Sequence, residues 1–199
     1  MSSYDLTLMP GAGPPRGEVE LVFDHEHADR VVRGALLKAR GSLEISTADF
    51  KAMLVPAARS SRAAPSIVAH LLTLAGRGVE VRVLHSGVPS GPALRELRVA
   101  ARKRGGLPPN LTLRRCPRLH AKAVVVDARW LYLGSANLTG AGLGAKGPTR
   151  RNFEWGCVSE DPILVDAVRG RFDALWEAEP CVGCGRRDVC PVPLEEPRL

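Results

Sequence analysis

The sequence predicts an α/β layer fold, and two observations carry that expectation. Segments whose apolar residues recur at helical spacing alternate along the chain with short β-rich runs, the order that packs helices against a sheet. Gly and Pro, 20 and 16 of 199 residues, punctuate the junctions between them. With 45% hydrophobic and 25% charged residues, a chain of this length can bury a sizeable core without disulfide staples. One domain with short appendages is the expected organisation.

Residues 1–18 hold Pro10, Gly11, Gly13, Pro14, Pro15 and Gly17 and read as a mobile leader. Glu18–Phe23 reads as a short strand. Ala28–Arg40 reads as a helix, with Val31, Ala35 and Ala39 on one face and Gly41 just past its end. Ser42–Thr47 alternates as a strand does. Residues 56–65, with Pro56, Ser60, Ser61, Arg62 and Pro65, read as a loop. Pro65 opens a second helix carrying Ile67, Leu71, Leu74 and Ala75, which Gly76 and Gly78 end, and Val79–Leu84 follows as a strand. Pro92–Arg104 is a third helix with Leu94, Leu97 and Ala101 as its apolar stripe. Leu111–Arg115, Lys122–Val126, Trp130–Leu133 and Phe153–Val158 read as strands. Asp161-Pro162 starts a last helix reaching about Glu177, with Val165, Val168, Phe172, Leu175 and Trp176 facing inward. The fold therefore occupies residues 19–178, and 179–199 form a Cys-containing, Pro/Glu-rich tail.

No run of 18 apolar residues exists, which excludes a spanning helix of that length. The start lacks a basic segment followed by an apolar core, so the expected compartment is the cytoplasm, where thiols stay reduced. The net charge of +7 and a pI near 9.6 favour a polyanionic partner such as nucleic acid, an acidic membrane surface or a phosphorylated substrate.

The chemistry concentrates between Arg118 and Gly140, RLHAKAVVVDARWLYLGSANLTG. His120 and Lys122 are i and i+2, so an extended backbone projects both from one face. Ser135 and Asn137 make a second such pair, and Asn152 and Glu154 a third. Three pairs beside adjacent strand ends can converge on one spot. They then offer a nucleophile or acid, a fixed cation, neutral donors and a carboxylate, an inventory suited to a tetrahedral phosphate oxyanion.

The spacing H-x-K-x4-D-x6-G-S-x-N, from His120 to Asn137, resembles the phospholipase D superfamily. At residue frequencies of about 5%, six fixed positions agree by chance about once in 10^8 starts. The resemblance implies a phospholipase D-like sandwich, a mixed β-sheet with helices on both faces. It also implies a phosphodiesterase that works through a covalent phosphohistidine. In-line displacement needs a nucleophile on one side of phosphorus and an acid on the other, and one imidazole cannot be both in one step. Relatives carry two copies of the motif. This chain carries one, since none of the other histidines makes a second His-x-Lys. The inference is a homodimer with one shared site on its two-fold axis, each subunit giving a His120 and a Lys122. By resemblance, Ser135 and Asn137 donate to the phosphoryl oxygens and Glu154 orients the ring of His120. Asp127 lies at an odd offset from His120, so holding a turn or a neighbour is its expected part. The reaction needs no metal or other cofactor.

Short single-motif members of the superfamily look like dimeric nucleases, acting on DNA or RNA. Local charge agrees: Arg95, Arg98, Arg102, Lys103, Arg104, Arg114, Arg115 and Arg118 precede the motif, and Lys146, Arg150 and Arg151 lie inside it. Aromatic residues are 5%, which argues for backbone contacts over extensive base stacking. Compact members also occur in anti-phage systems, among them the phospholipase D-like component of DISARM, which implies a defence setting with protein partners. The alternatives are a phospholipid phosphodiesterase or phosphatidyl transferase, and a non-catalytic nucleic-acid-binding subunit.

Three further features stand apart. Gly140–Arg151 is Gly-rich and basic and reads as a mobile flap near the site. Its Gly142, Gly144 and Gly147 spell GxGxxG, but Pro148 and a strand follow where a dinucleotide loop needs a helix. Cys181, Cys184 and Cys190 have thiolate spacing suited to structural zinc, or to an iron–sulfur cluster given Cys190-Pro191, with Cys157, Cys116 or a histidine as fourth ligand. His25 and His27 read as part of a solvated acidic turn.

Overall fold

The computed structural model describes residues 17–55 and 64–199. Most of the expected leader and of the 56–65 loop lies outside the described residues. Seven strands form one sheet: β1 (Val19–Phe23), β2 (Ser42–Thr47), β3 (Glu80–His85), β4 (Leu111–Arg115), β5 (Ala123–Val126), β6 (Trp130–Gly134) and β7 (Trp155–Ser159). Their spatial order is β1-β7-β6-β5-β2-β3-β4. β2, β3 and β4 run parallel, and the remaining neighbours pair antiparallel, so the sheet is mixed. Three α-helices accompany it: α1 (Ile67–Gly76), α2 (Gly91–Arg104) and α3 (Pro162–Trp176).

Strand alternation sorts the two faces. Leu43, Ile45, Val81, Val83, Leu111 and Leu113 pack with Ile67, Leu71 and Leu74 of α1 and Leu97 of α2. On the opposite face Val125 and Leu131 meet Val165 of α3, and Leu84 meets Phe172 and Trp176. Helices therefore cover both faces. The α3 face also buries a charge cluster that pattern reading did not reveal. Arg82 bridges Glu44 (3.0 Å) and Asp173 (2.8 Å) and lies over the rings of Phe172 and Trp176.

Helix ends follow their chemistry. Ser66 accepts from the Ala69 N–H at the start of α1. Asp161 accepts from Ile163 and Leu164 ahead of α3, with Pro162 in the first turn. Gly105, at φ 72°, closes α2 in the left-handed conformation.

Two expectations need correction. Ala28–Arg40 is not a regular α-helix but a π-helical turn, His27–Arg33, then a single 3-10 turn, Leu36–Lys38. A Cβ at Gly34 would meet the Arg30 carbonyl, so only glycine lets the backbone pass there. Gly140–Arg151 is not a loose flap but a series of hydrogen-bonded turns, tied by Leu143 N–H to Thr139 O (2.9 Å) and Asn152 N–H to Ala141 O (3.0 Å). Leu143 is buried, and Gly144, at φ 66°, packs against Asp24 and His25 where a side chain would collide.

Candidate active site

The three predicted pairs lie at the same ends of three adjacent strands. His120 and Lys122 lead into β5, Ser135 and Asn137 leave β6, and Asn152 and Glu154 lead into β7. Backbone bonds lock these ends together: Gly134 N–H to Lys122 O is 3.1 Å, and Ser135 N–H to Trp155 O is 3.0 Å. The convergence follows from strand order, not from any loop closing over the site.

His120 is exposed, and its ring faces Lys122. The ammonium stands 3.1 Å from Nδ1 and 3.4 Å from Nε2. An ammonium only donates, so the ring nitrogen it meets must offer a lone pair. Glu154 is buried beneath this surface. Its carboxylate accepts from the Ser135 hydroxyl and, at 3.0 Å, from the Asn152 amide. Within one chain, then, Glu154 is held by Ser135 and Asn152, while His120 is paired with Lys122.

Asn137 holds the chain in place. Its carbonyl oxygen accepts from Ala48 N–H (3.0 Å), Asp49 N–H (3.0 Å) and the Thr47 hydroxyl (3.3 Å), pinning the segment after β2 to the segment after β6. Asp127 sits at the far end of the β5–β6 hairpin. Its carboxylate accepts from the N–H groups of Arg40, Gly41 and Ser42. Burial works to raise that carboxyl, but these backbone donors outweigh it and hold it below the usual carboxylate range.

Four contributors escaped sequence reading. Asp24 accepts from the Glu154 N–H (2.9 Å) and donates its own N–H to the Glu154 carbonyl (2.8 Å), bracing the carboxylate strand. His27 is fully buried, contrary to the solvated turn expected. It contacts Tyr132 edge to face at 5.3 Å, with Nδ1 on the Asp24 carbonyl (2.9 Å) and Nε2 without a partner. Burial pushes its imidazole down and the Tyr132 phenol up. Arg171 lines a cleft of about 590 Å³ with His120, Arg118, Leu175, Cys116 and Cys181. Phe153 and Trp155, flanking Glu154, are 91% and 67% exposed. Trp155 sits opposite Phe23, in an apolar patch with Leu21 and Leu133 that α3 leaves uncovered.

The basic tract is not one continuous track. Arg114 is turned in over Trp176 and donates to its carbonyl (2.8 Å), and Arg115 donates to Ser86 O (3.1 Å). All five cysteines are free thiols. Among the described residues, no three His, Cys, Asp or Glu side chains already form a cage for a metal ion. The thiols of Cys184 and Cys190 are turned to different partners, the Arg118 guanidinium (3.5 Å) and the Val192 carbonyl (3.6 Å).

A family model described as cardiolipin synthase, PLD-like domain, matches residues 32–176. The chain belongs to this PLD-like family. Among solved structures, the phospholipase D family member Nuc of Salmonella typhimurium superposes with a TM-score of 0.58 at 20% identity, over 81% of this chain and 95% of that one. NucT of Helicobacter pylori gives a TM-score of 0.55 at 15% identity, over 80% of this chain and 97% of its own. Such likeness establishes a shared fold, the mixed sheet with helices on both faces. No curated protein matches the chain. Among the described residues, no helix of this PLD-like domain is long and apolar enough to cross a membrane.

Proposed function

We infer that this PLD-like chain is a phosphodiesterase acting on nucleic acid as a homodimer. The observation that carries the reading is the convergence of His120 and Lys122 with Ser135 and Glu154 on three locked strand ends beside an open cleft. In the first step a ring nitrogen of His120 attacks phosphorus. The P–O ester bond breaks, and the departing oxygen takes a proton from the partner's His120. Water, giving its proton back to that second imidazole, then attacks the P–N bond and frees His120. The two Lys122 ammoniums balance charge on the phosphoryl oxygens. This route draws on side chains alone.

The dimer reading rests on the single motif and on the uncovered patch of Leu21, Phe23, Leu133 and Trp155, which adjoins the site and suits a second copy. Nucleic acid is favoured by the Arg118 and Arg171 guanidiniums in the cleft and by the net charge of +7. The deciding experiment is cleavage of plasmid and single-stranded oligonucleotides in EDTA. His120→Ala should lose about 10^3-fold or more, and full activity in that variant overturns the assignment. Co-expression of wild-type and His120→Ala chains tests the shared site. With equal amounts and random pairing, activity should fall to about a quarter, because only dimers with two intact imidazoles work; a fall to one half would indicate independent sites.

A lipid reading draws on the family model's name, a cardiolipin synthase, and on the exposed apolar patch beside the site. Hydrolysis or transfer of phosphatidyl groups in anionic vesicles, with plasmid left intact, would favour it.

A further inference from the structure

The tail raises a problem of stability. Residues 181–192 carry almost no core: Val182, Val189 and Val192 are exposed, and the segment's backbone bonds are isolated turns such as Cys184 N–H to Cys181 O (3.3 Å). Such a segment holds one shape only when something cross-links it. Its two ends are nevertheless fixed beside one residue of the main fold. Glu179, Pro180, Cys181 and Cys184 line the cleft together with Cys116. Farther along, Leu194 packs in the cluster that includes Cys116, and the Glu195 carbonyl accepts from the Arg115 N–H (3.1 Å). The chain carrying Cys190 is therefore returned to the same place. Cys157, by contrast, belongs to β7, three strands from the tail's anchor on β3 and β4.

We propose that Cys116, Cys181, Cys184 and Cys190 form a four-thiolate structural zinc site that fastens the tail as one wall of the cleft holding His120. The donor set fits the ion: four sulfurs, with no carboxylate in the group, match a closed tetrahedral site. Zinc takes thiolates, and the surroundings supply them. The Arg118 hydrogen bond pushes the Cys184 thiol down. Burial raises the Cys181 thiol, and Cys116, Cys184 and Cys190 raise it further, as thiols gathered within electrostatic reach must until a cation joins them. Closing the site requires the Cys184 and Cys190 thiols to swing from Arg118 and the Val192 carbonyl, a rearrangement confined to an exposed hairpin.

The proposal is independent of which phosphodiester is cleaved, and its test reads metal. The full chain, expressed with zinc and dialysed, should hold about one zinc per subunit by elemental analysis. Cobalt(II) exchange should give a tetrahedral thiolate spectrum. Cys116→Ser and Cys190→Ser should each lose most of the zinc and speed proteolysis within 181–194. Cys157→Ser and His120→Ala should keep the full content. Circular dichroism of Cys190→Ser, which alters only the tail, guards against reading a folding defect as metal loss. A folded wild-type protein without zinc, iron with acid-labile sulfide in its place, or zinc retained by Cys116→Ser each overturns the proposal.

Discussion

Asp127 separates architecture from chemistry within the motif, and its removal can be worked out from contacts. Its Oδ1 accepts from Arg40 N–H (3.0 Å), Gly41 N–H (2.7 Å) and Ser42 N–H (3.0 Å). A hydrogen bond to a charged acceptor contributes roughly 1.5–3 kcal/mol. Arg40 and Gly41 are exposed, so water replaces most of what they lose, and the half-buried Ser42 N–H carries the larger share. Asp127 also sits at φ 53°, which alanine tolerates poorly. Asp127→Ala should therefore cost about 2–3 kcal/mol, a melting shift of roughly 5–10 °C. Asp127→Asn keeps an acceptor and tolerates the left-handed backbone, so about 1 kcal/mol is expected. The native carboxyl lies below its unfolded value. Its stabilisation is therefore fully present above the unfolded pKa of about 3.9 and is lost as pH falls through the folded one. Urea titrations should show the wild-type and Asn midpoints far apart at pH 7 and converging in acid. Cleavage per folded molecule should be unchanged in both variants. An Asp127→Asn protein that melts normally yet fails to cleave would refute the reasoning.

Two other perturbations test the frame around the site. Gly156→Ala would set a Cβ 2.5 Å from a Tyr132 ring carbon and 2.7 Å from the Leu133 carbonyl, one of them unyielding backbone, so a loss of about 3 kcal/mol in chemical denaturation is expected; a wild-type midpoint would show that Tyr132 moves freely. His27 and His85 are buried, each with an unpartnered Nε2, and burial holds both imidazoles below their unfolded value. The unfolded chain takes up protons near pH 6.5 while the folded one resists, so stability should fall from pH 7 towards pH 5. His27→Phe should flatten that slope, and an unchanged slope would exclude His27 as its source.

Local signals announced what local contacts decide. The alternation of Ser42–Thr47, the Asp161-Pro162 start of α3 and Gly105 at the end of α2 act within a few residues, and the structure has them where the pattern put them. The failures are long-range. Ala28–Arg40 has helical periodicity, but its backbone is set by how closely Gly34 passes the Arg30 carbonyl. Gly140–Arg151 looks loose until Leu143 is buried and Gly144 meets Asp24 and His25, more than a hundred residues away. Arg114 and Arg115 count as surface charge in a linear tally, yet Trp176 and Ser86 take them inward. The three polar pairs of the candidate site were legible because each is fixed by period-two alternation at a strand end. Asp24 was not, because only the β1–β7 pairing brings it to Glu154.

The motif's spacing is itself a description of a hairpin. Lys122 is followed by the four residues of β5, then Asp127 at the turn, then β6 ending at Gly134, whose N–H returns to the Lys122 carbonyl. The four residues after Lys122 and the six after Asp127 are thus the lengths that bring Ser135 back beside Lys122, with Ala123 opposite Leu133. Register, not the turn's composition, is what the chemistry requires. Two residues inserted between Ala128 and Arg129 lengthen the turn but leave that pairing intact, and cleavage should survive at some cost in stability. One residue inserted between Lys122 and Ala123 puts His120 and Lys122 out of phase with Ser135 and should abolish cleavage while the sheet stays folded by circular dichroism. Equal activity in the two insertion variants would mean that the strand ends do not set the geometry of the reacting groups.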